Sequence, residues 1–286
     1  MSVRALCLAL AICAGCGRLG FDAAGDGGGS NVMYSDWGNS RHQSNLSSPD
    51  NDWEGTVHPD GLVMVFSRQT PTDSDLMVTT RTSLTADFGP PSFIPAASSA
   101  NYEFGAAWSP DGSRLYFNGS ASVPRYLTYD GTFSTTSQPA DELPADSFSW
   151  EFSTDGREVF YTTVPTPNDY DLHRATRSGM TGLFTPDDSK ILALQRSGLS
   201  EGWPTLDGSQ NVLYFERDMP TIGGVIYQAT RSGPTGAFDD LVPINYMNMD
   251  DGDPDLSNMD LTLVIGSNRL GSGLGQELFI LTRTAD

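Results

Sequence analysis

The sequence predicts an all-β fold: a five-bladed β-propeller whose last blade is closed by an N-terminal strand. Three observations carry this. A set of apolar positions recurs five times, at intervals of 51, 44, 54 and 50 residues, and each set encloses a tight turn. Between these sets run segments that alternate apolar and polar residues, the period of half-buried strands, and no amphipathic helical stripe exceeds about two turns. The last repeat stops one strand short, and the front of the chain begins with just such a strand.

Each repeat is read from one anchor residue: Phe66, Phe117, Tyr161, Phe215 or Ile265. Two residues earlier stands Met64, Leu115, Val159, Leu213 or Leu263, and nine earlier Val57, Trp108, Phe152, Leu206 or Leu256. The enclosed turn is Asp60-Gly61, Asp111-Gly112 or Asp155-Gly156, degenerating to Ser209-Gln210 and Met259-Asp260. WSPDGSRLYF (108–117) is the clearest copy. Seen alone, Asp111 invites a catalytic reading; as one of several diverged copies it belongs to a turn in which Asp bonds nearby backbone and Gly takes the positive φ. The innermost strand runs into that turn. A second strand leaves it, as in RLYFN or VLYFE, and a third follows, as in DLMVTTR or VIYQATR. The hairpins RTSLTADF (81–88), RSGMTGLF (177–184) and RSGPTGAF (231–238) then lead to a fourth strand, such as SFIP or LVPI.

Repeat five ends at Arg283, where its last hairpin is due, while residues 37–61 align without a gap on residues 88–112. Residues 37–46 are therefore expected to supply the outer strand of blade five, which removes the open edges of the ring. The 20 residues between Cys16 and Trp37 are too few for a further blade. Six blades, the alternative, require one repeat too diverged to recognise.

MSVRALCLALAICAGC opens with a basic residue, Arg4, followed by an apolar run and small residues. That is the pattern of a secretory signal, too short to be a spanning helix. Ala14-Gly15-Cys16 resembles the bacterial lipobox, with Cys13 where leucine is commoner. The resemblance implies lipidation of Cys16 as the first mature residue, and Gly17 after it resembles lipoproteins sorted to the outer membrane. All three cysteines (Cys7, Cys13, Cys16) lie here, so the exported domain is expected to hold without disulfides. The expected organisation is a signal peptide over 1–15, a Gly-rich flexible tether over 16–33 and the propeller over 34–286.

The repeats resemble the WD-like propeller repeats of the TolB type, most clearly at Trp108–Phe117 and at SNRLGSGLGQELF (267–279). This resemblance implies a propeller with a protein-binding or envelope role, and it carries no catalytic set.

Charge narrows the partners. With 16 Lys+Arg against 36 Asp+Glu the chain stands at −20, and Lys190 is its only lysine, so phosphate backbones are repelled and nucleic acid is excluded as a partner. Catalytic signatures are absent: there is no G-x-S-x-G, no H-E-x-x-H and no Walker loop. His42, His58 and His173 fall in different repeats at unlike registers. DNDWEG (50–55) lacks the glutamate an EF-hand needs at position twelve, where Gly61 stands.

One constellation remains. Fourteen residues before each anchor stand Asp52, Glu103, Ser147, Glu201 and Asp251, at the start of the innermost strand, with Glu54 and Asp253 two residues further on. Equivalent positions lie at one radius around a propeller axis, so Asp52, Glu103, Glu201 and Asp251 are expected to ring one mouth of the channel. Carboxylates gathered there would repel each other and invite a hard cation such as Ca²⁺; alternatively, each acid caps its own blade. The expected function is that of a monomeric, lipid-anchored envelope propeller, exported to the outer membrane at its periplasmic face or the cell surface. It would act as a binding or scaffold module for envelope proteins or glycans. The alternative is a glycan-binding or glycan-cleaving propeller with channel carboxylates, and cleavage would need a pair of them about 5–9.5 Å apart.

Overall fold

The computed structural model describes residues 37–99, 102–119, 123–166, 169–220, 223–244, 251–257, 262–268 and 276–283. The expected signal peptide, Cys16 and the expected tether lie outside the described residues, as does most of the Gly-rich part of 267–279. The described strands form five four-stranded antiparallel sheets, a five-bladed propeller. Blade one is β2 (Asn51–Val57), β3 (Val63–Gln69), β4 (Ser74–Thr80) and β5 (Ser92–Phe93), from axis to rim. Blade two is β6 (Phe104–Trp108), β7 (Arg114–Asn118), β8 (Pro124–Thr128) and β9 (Gln138–Pro139). Blade three is β10 (Ser147–Phe152), β11 (Glu158–Thr166), β12 (Asp169–Thr176) and β13 (Thr185–Pro186). Blade four is β14 (Glu201–Leu206), β15 (Val212–Met219), β16 (Gly223–Thr230) and β17 (Asp239–Pro243). Blade five is β18 (Asp251–Ser257), β19 (Thr262–Ser267), β20 (Glu277–Thr282) and, from the front of the chain, β1 (Gly38–His42).

The closure has the expected form: β1 pairs antiparallel with β20, Gly38 opposite Thr282 and His42 opposite Phe279. Its lock repeats a device of the other blades. In blades one, three and four the first arginine of the hairpin lies over the hairpin's aromatic residue, Arg81 on Phe88, Arg177 on Phe184 and Arg231 on Phe238, at 4.6, 4.3 and 4.6 Å. The same guanidinium donates through Nε to the carbonyl of Gly61, Gly156 or Gln210, tying the hairpin to the turn inside its blade. Blade five builds this contact from both chain ends, with Arg283 lying 4.7 Å from the ring of Trp37.

The anchor residues explain the repeat. Phe66, Phe117, Phe215 and Ile265 are fully buried and Tyr161 nearly so. They join apolar clusters that fill the space between adjacent blades, one cluster for each blade junction. The turns hold as the sequence implies: Asp111 accepts from the Ser113 amide and Ser109 Oγ, and Gly112 sits at φ 71°. These donors hold the Asp111 carboxyl below its ordinary value. In blade four the acid has moved two residues back. Asp207 accepts from the amides of Asn211 and Val212, and Gln210 takes the positive φ, 62°. Outer strands of two residues in three blades, two of them containing proline, leave little edge to pair with another chain.

Candidate functional site

Every innermost strand carries a β-bulge at the same place. Pairing slips between Trp53 and Thr56, Phe104 and Ala107, Phe148 and Glu151, Gly202 and Thr205, and Gly252 and Asp255. The bulged residue in each blade has positive φ: Glu54 51°, Gly105 65°, Ser149 48°, Trp203 50° and Asp253 50°. Four of these are not glycine, and the conformation is costly for Trp203 above all. A bulge bends its strand and re-aims the side chain, and here it turns one residue per blade towards the channel.

Glu54 is the centre of this ring. Its Oε2 accepts from the Gly105 amide at 2.6 Å and Ser67 Oγ at 3.2 Å, and its Oε1 from Trp203 Nε1 at 2.8 Å and Ser149 Oγ at 3.4 Å. One carboxyl thus ties blade one to blades two, three and four. Burial pushes its pKa above the ordinary carboxyl value, against four donors that favour the charged form.

Above Glu54 one mouth of the channel widens into a cup of about 610 Å³, within the usual range of small-molecule sites. Six aromatic side chains line it: Trp53, Tyr102, Phe104, Phe148, Tyr170 and Trp203. They brace each other, Phe104 edge-on against Phe148 at 5.4 Å and Tyr170 tilted against Trp203 at 4.8 Å. Among the described residues no lysine, arginine or histidine lines the cup, and the carboxylates are Glu54 and the exposed Asp146. Two polar atoms of the lining residues, Trp53 Nε1 and the buried Asn118 Oδ1, have no hydrogen-bond partner among the described residues. Below Glu54 the channel narrows to about 30 Å³ between Glu54, Asp253 and Asp255. It then opens to a second mouth of about 250 Å³ beside Trp108, Trp150 and Phe152. Asp255 there accepts from the Val57 amide at 3.0 Å and Thr56 Oγ1 at 3.1 Å, and burial raises its pKa to about 7.

The acids expected to ring the mouth stand at the start of the innermost strands, Glu103 just before β6, and each is held by nearby groups of its own blade or of the loop leading into it. Asp52 pairs with Arg68 (Nε to Oδ1, 2.7 Å) and Glu201 with Arg217 (Nε to Oε1, 2.8 Å), their cross-strand neighbours. Both arginines also donate to the carbonyl of the incoming loop, Leu46 or Leu194. Glu103 accepts from the amide and hydroxyl of Ser99, and Asp251 from Ser267 Oγ. Burial raises the pKa of Asp52, Glu103 and Glu201, and in Asp52 and Glu201 the arginine opposes it. The premise of carboxylates without basic partners therefore fails at Asp52 and Glu201. Among the described residues no group of three or more His, Cys, Asp or Glu is placed to hold a metal ion.

The fold is similar to that of the alpha-L-arabinofuranosidase of Podospora anserina, at 11% identity over 82% of this chain and 91% of that one, with a TM-score of 0.58. The catalytic domain of the GH62 alpha-L-arabinofuranosidase of Coprinopsis cinerea matches at 13% identity over 82% and 91%, TM-score 0.54. A putative TolB from Agrobacterium tumefaciens matches at 16% identity over 78% and 72%, TM-score 0.48. The likeness is one of fold. No protein-family model matches the chain, and no curated protein matches it.

Proposed function

We propose that this chain is a lipid-anchored envelope propeller that binds a neutral glycan in the aromatic cup. The observation that carries the reading is the composition of the cup: among the described residues it offers six aromatic side chains, two polar atoms of opposite kind without a partner, and no basic side chain. The C–H faces of a sugar ring are electropositive and lie favourably on the negative face of an aromatic ring. Hydroxyls both donate and accept, which suits a lining that includes an amide oxygen, Asn118 Oδ1, and an indole N–H, Trp53 Nε1. A phosphate, sulfate or uronate would meet carboxylates and no cation. The Podospora anserina propeller of like fold was crystallised with cellotriose, which makes neutral oligosaccharides the first probes.

Binding rather than cleavage follows from Glu54. Each of its oxygens is held by two protein donors, so no lone pair is left for it to protonate a leaving group, attack as a nucleophile or take a proton from water. The exposed rim residues Tyr102 and Val164 favour a second reading, in which a protein segment docks on the same cup. A panel of neutral oligosaccharides on the purified protein tests the proposal. Saturable binding without new reducing ends supports it, and turnover, or binding only to envelope protein, overturns it. For the anchor, Cys16→Ser is expected to release the protein from the membrane fraction; membrane association unchanged in that variant would refute lipidation.

A further inference from the structure

We infer that the opposite mouth of the channel is a second site, shaped for the ammonium or guanidinium head of an organic amine. It lies on the far side of the constriction from the cup, and that constriction has room for about one water. A ligand at one mouth is therefore not in contact with a ligand at the other, and this inference stands whether or not the cup binds a glycan.

Aromatic walls and carboxyls meet at this mouth. Trp108, Trp150 and Phe152 line it, together with Glu151 and Asp255, and no lysine, arginine or histidine does. Its volume of about 250 Å³ suits a single basic side chain or a small amine rather than a chain of rings. Each oxygen of Asp255 accepts one protein hydrogen bond, from Thr56 Oγ1 or the Val57 amide. A carboxylate has about four acceptor sites, so acceptor capacity remains towards the channel. Ser257, a residue only 8% exposed, lines the same mouth, and its Oγ has no partner among the described residues. An ammonium or guanidinium group would donate to both, beside the rings of Trp108, Trp150 and Phe152. An anion would meet two carboxyls, and a neutral apolar ligand would leave Ser257 Oγ unanswered.

The site also couples binding to a proton. Asp255 sits with a pKa of about 7, whereas an alkylammonium stays charged to about pH 10. The elements packed against β18 bring Asp52 and Glu54 from β2, Glu201 from β14, Tyr214, Glu216, Arg217 and Asp218 from β15, and Tyr227 from β16. Of these only Glu54 lines the channel with Asp255, alongside Asp253 of β18 itself and Glu151 of β10. An amine should therefore displace the Asp255 proton.

Calorimetric titration of the purified protein with n-butylammonium chloride tests this, in two buffers of different ionisation heat, with n-butanol and sodium chloride as controls. Expected are saturable binding at pH 8, an apparent affinity about thirtyfold weaker at pH 5.5, and release of about half a proton per amine at pH 7. Asp255→Asn should weaken binding at least about tenfold and abolish proton release, whereas Tyr170→Ala, in the cup, should change neither. Should Asp255→Asn not fold, Ser257→Ala and the wild-type proton count decide instead. Absence of saturable binding at pH 8, equal affinity for butanol, no proton release, or loss of binding in Tyr170→Ala alone would overturn the inference.

Discussion

Replacing Asp255 by asparagine should make the protein more stable at neutral pH, although it removes a buried hydrogen-bonded acid. The folded protein holds the Asp255 proton up to about pH 7, against an ordinary value of 3.8. A carboxyl raised in the folded state lends stability that is fully present below its unfolded pKa and is lost as pH rises through the folded one. The window is therefore about pH 4 to 7. In full the shift corresponds to about 4 kcal/mol, at about 1.4 kcal/mol per pH unit. Asp255 is half-buried, so solvent screens its charge in part and about 2 kcal/mol is the working figure. Asparagine resembles the protonated acid in shape and cannot ionise. Thermal unfolding of both proteins from pH 4 to 8, in amine-free buffer, gives the difference. Glu54, Asp52, Glu103 and Glu201 are raised in both proteins and cancel in that difference. Asp255→Asn should gain on the wild type across the window, reaching about 4–8 °C in Tm at pH 8 relative to pH 4. A Tm difference independent of pH would show that Asp255 ionises normally, and the account of the narrow mouth would fall with it.

Three further outcomes follow from the same geometry. Arg217→Met leaves Glu201 buried and unpaired, at a cost of about 3–5 kcal/mol in denaturant unfolding, while Arg68→Met costs less because Arg68 is 19% exposed against 2% for Arg217. Deleting residues 37–46 should remove the closing strand and the buried Leu46, giving aggregation or a large fall in Tm; retention of the wild-type Tm would refute the shared fifth blade. With the four acids each held by nearby groups, Tm should be the same in millimolar Ca²⁺ and in chelator; a chelator-sensitive Tm that disappears in Glu103→Gln plus Asp251→Asn would place a cation among them instead.

What the sequence made legible is what the repeat enforces. Anchors such as Phe117 and turns such as Asp111-Gly112 recur because each blade must bury one face against the next, and the missing outer strand followed from counting strands. The bulge ring was less visible because its residues share a backbone conformation and not a side-chain type: Glu54, Gly105, Ser149, Trp203 and Asp253 have no common chemistry. A signal was present in Pro204 and Pro254, prolines inside innermost strands, where an unpaired residue is required. The pairing of Asp52 with Arg68 and of Glu201 with Arg217 was also within reach, since both pairs are separated by the same sixteen residues. The cup was not, because its aromatic residues come from four blades and from loops as well as strands.

The most direct test of the account is calorimetric titration of wild type, Tyr102→Ala and Tyr170→Ala with cellotriose and other neutral oligosaccharides. Both tyrosines line the cup without contacting Glu54 through any hydrogen bond described, so the variants should keep the wild-type fold. The account predicts saturable binding by the wild type to at least one neutral sugar, weakened about tenfold or more in Tyr170→Ala, about 1.4 kcal/mol, with the heat-unfolding curve little changed. Failure of every neutral oligosaccharide to bind, or binding that neither substitution alters, would contradict it.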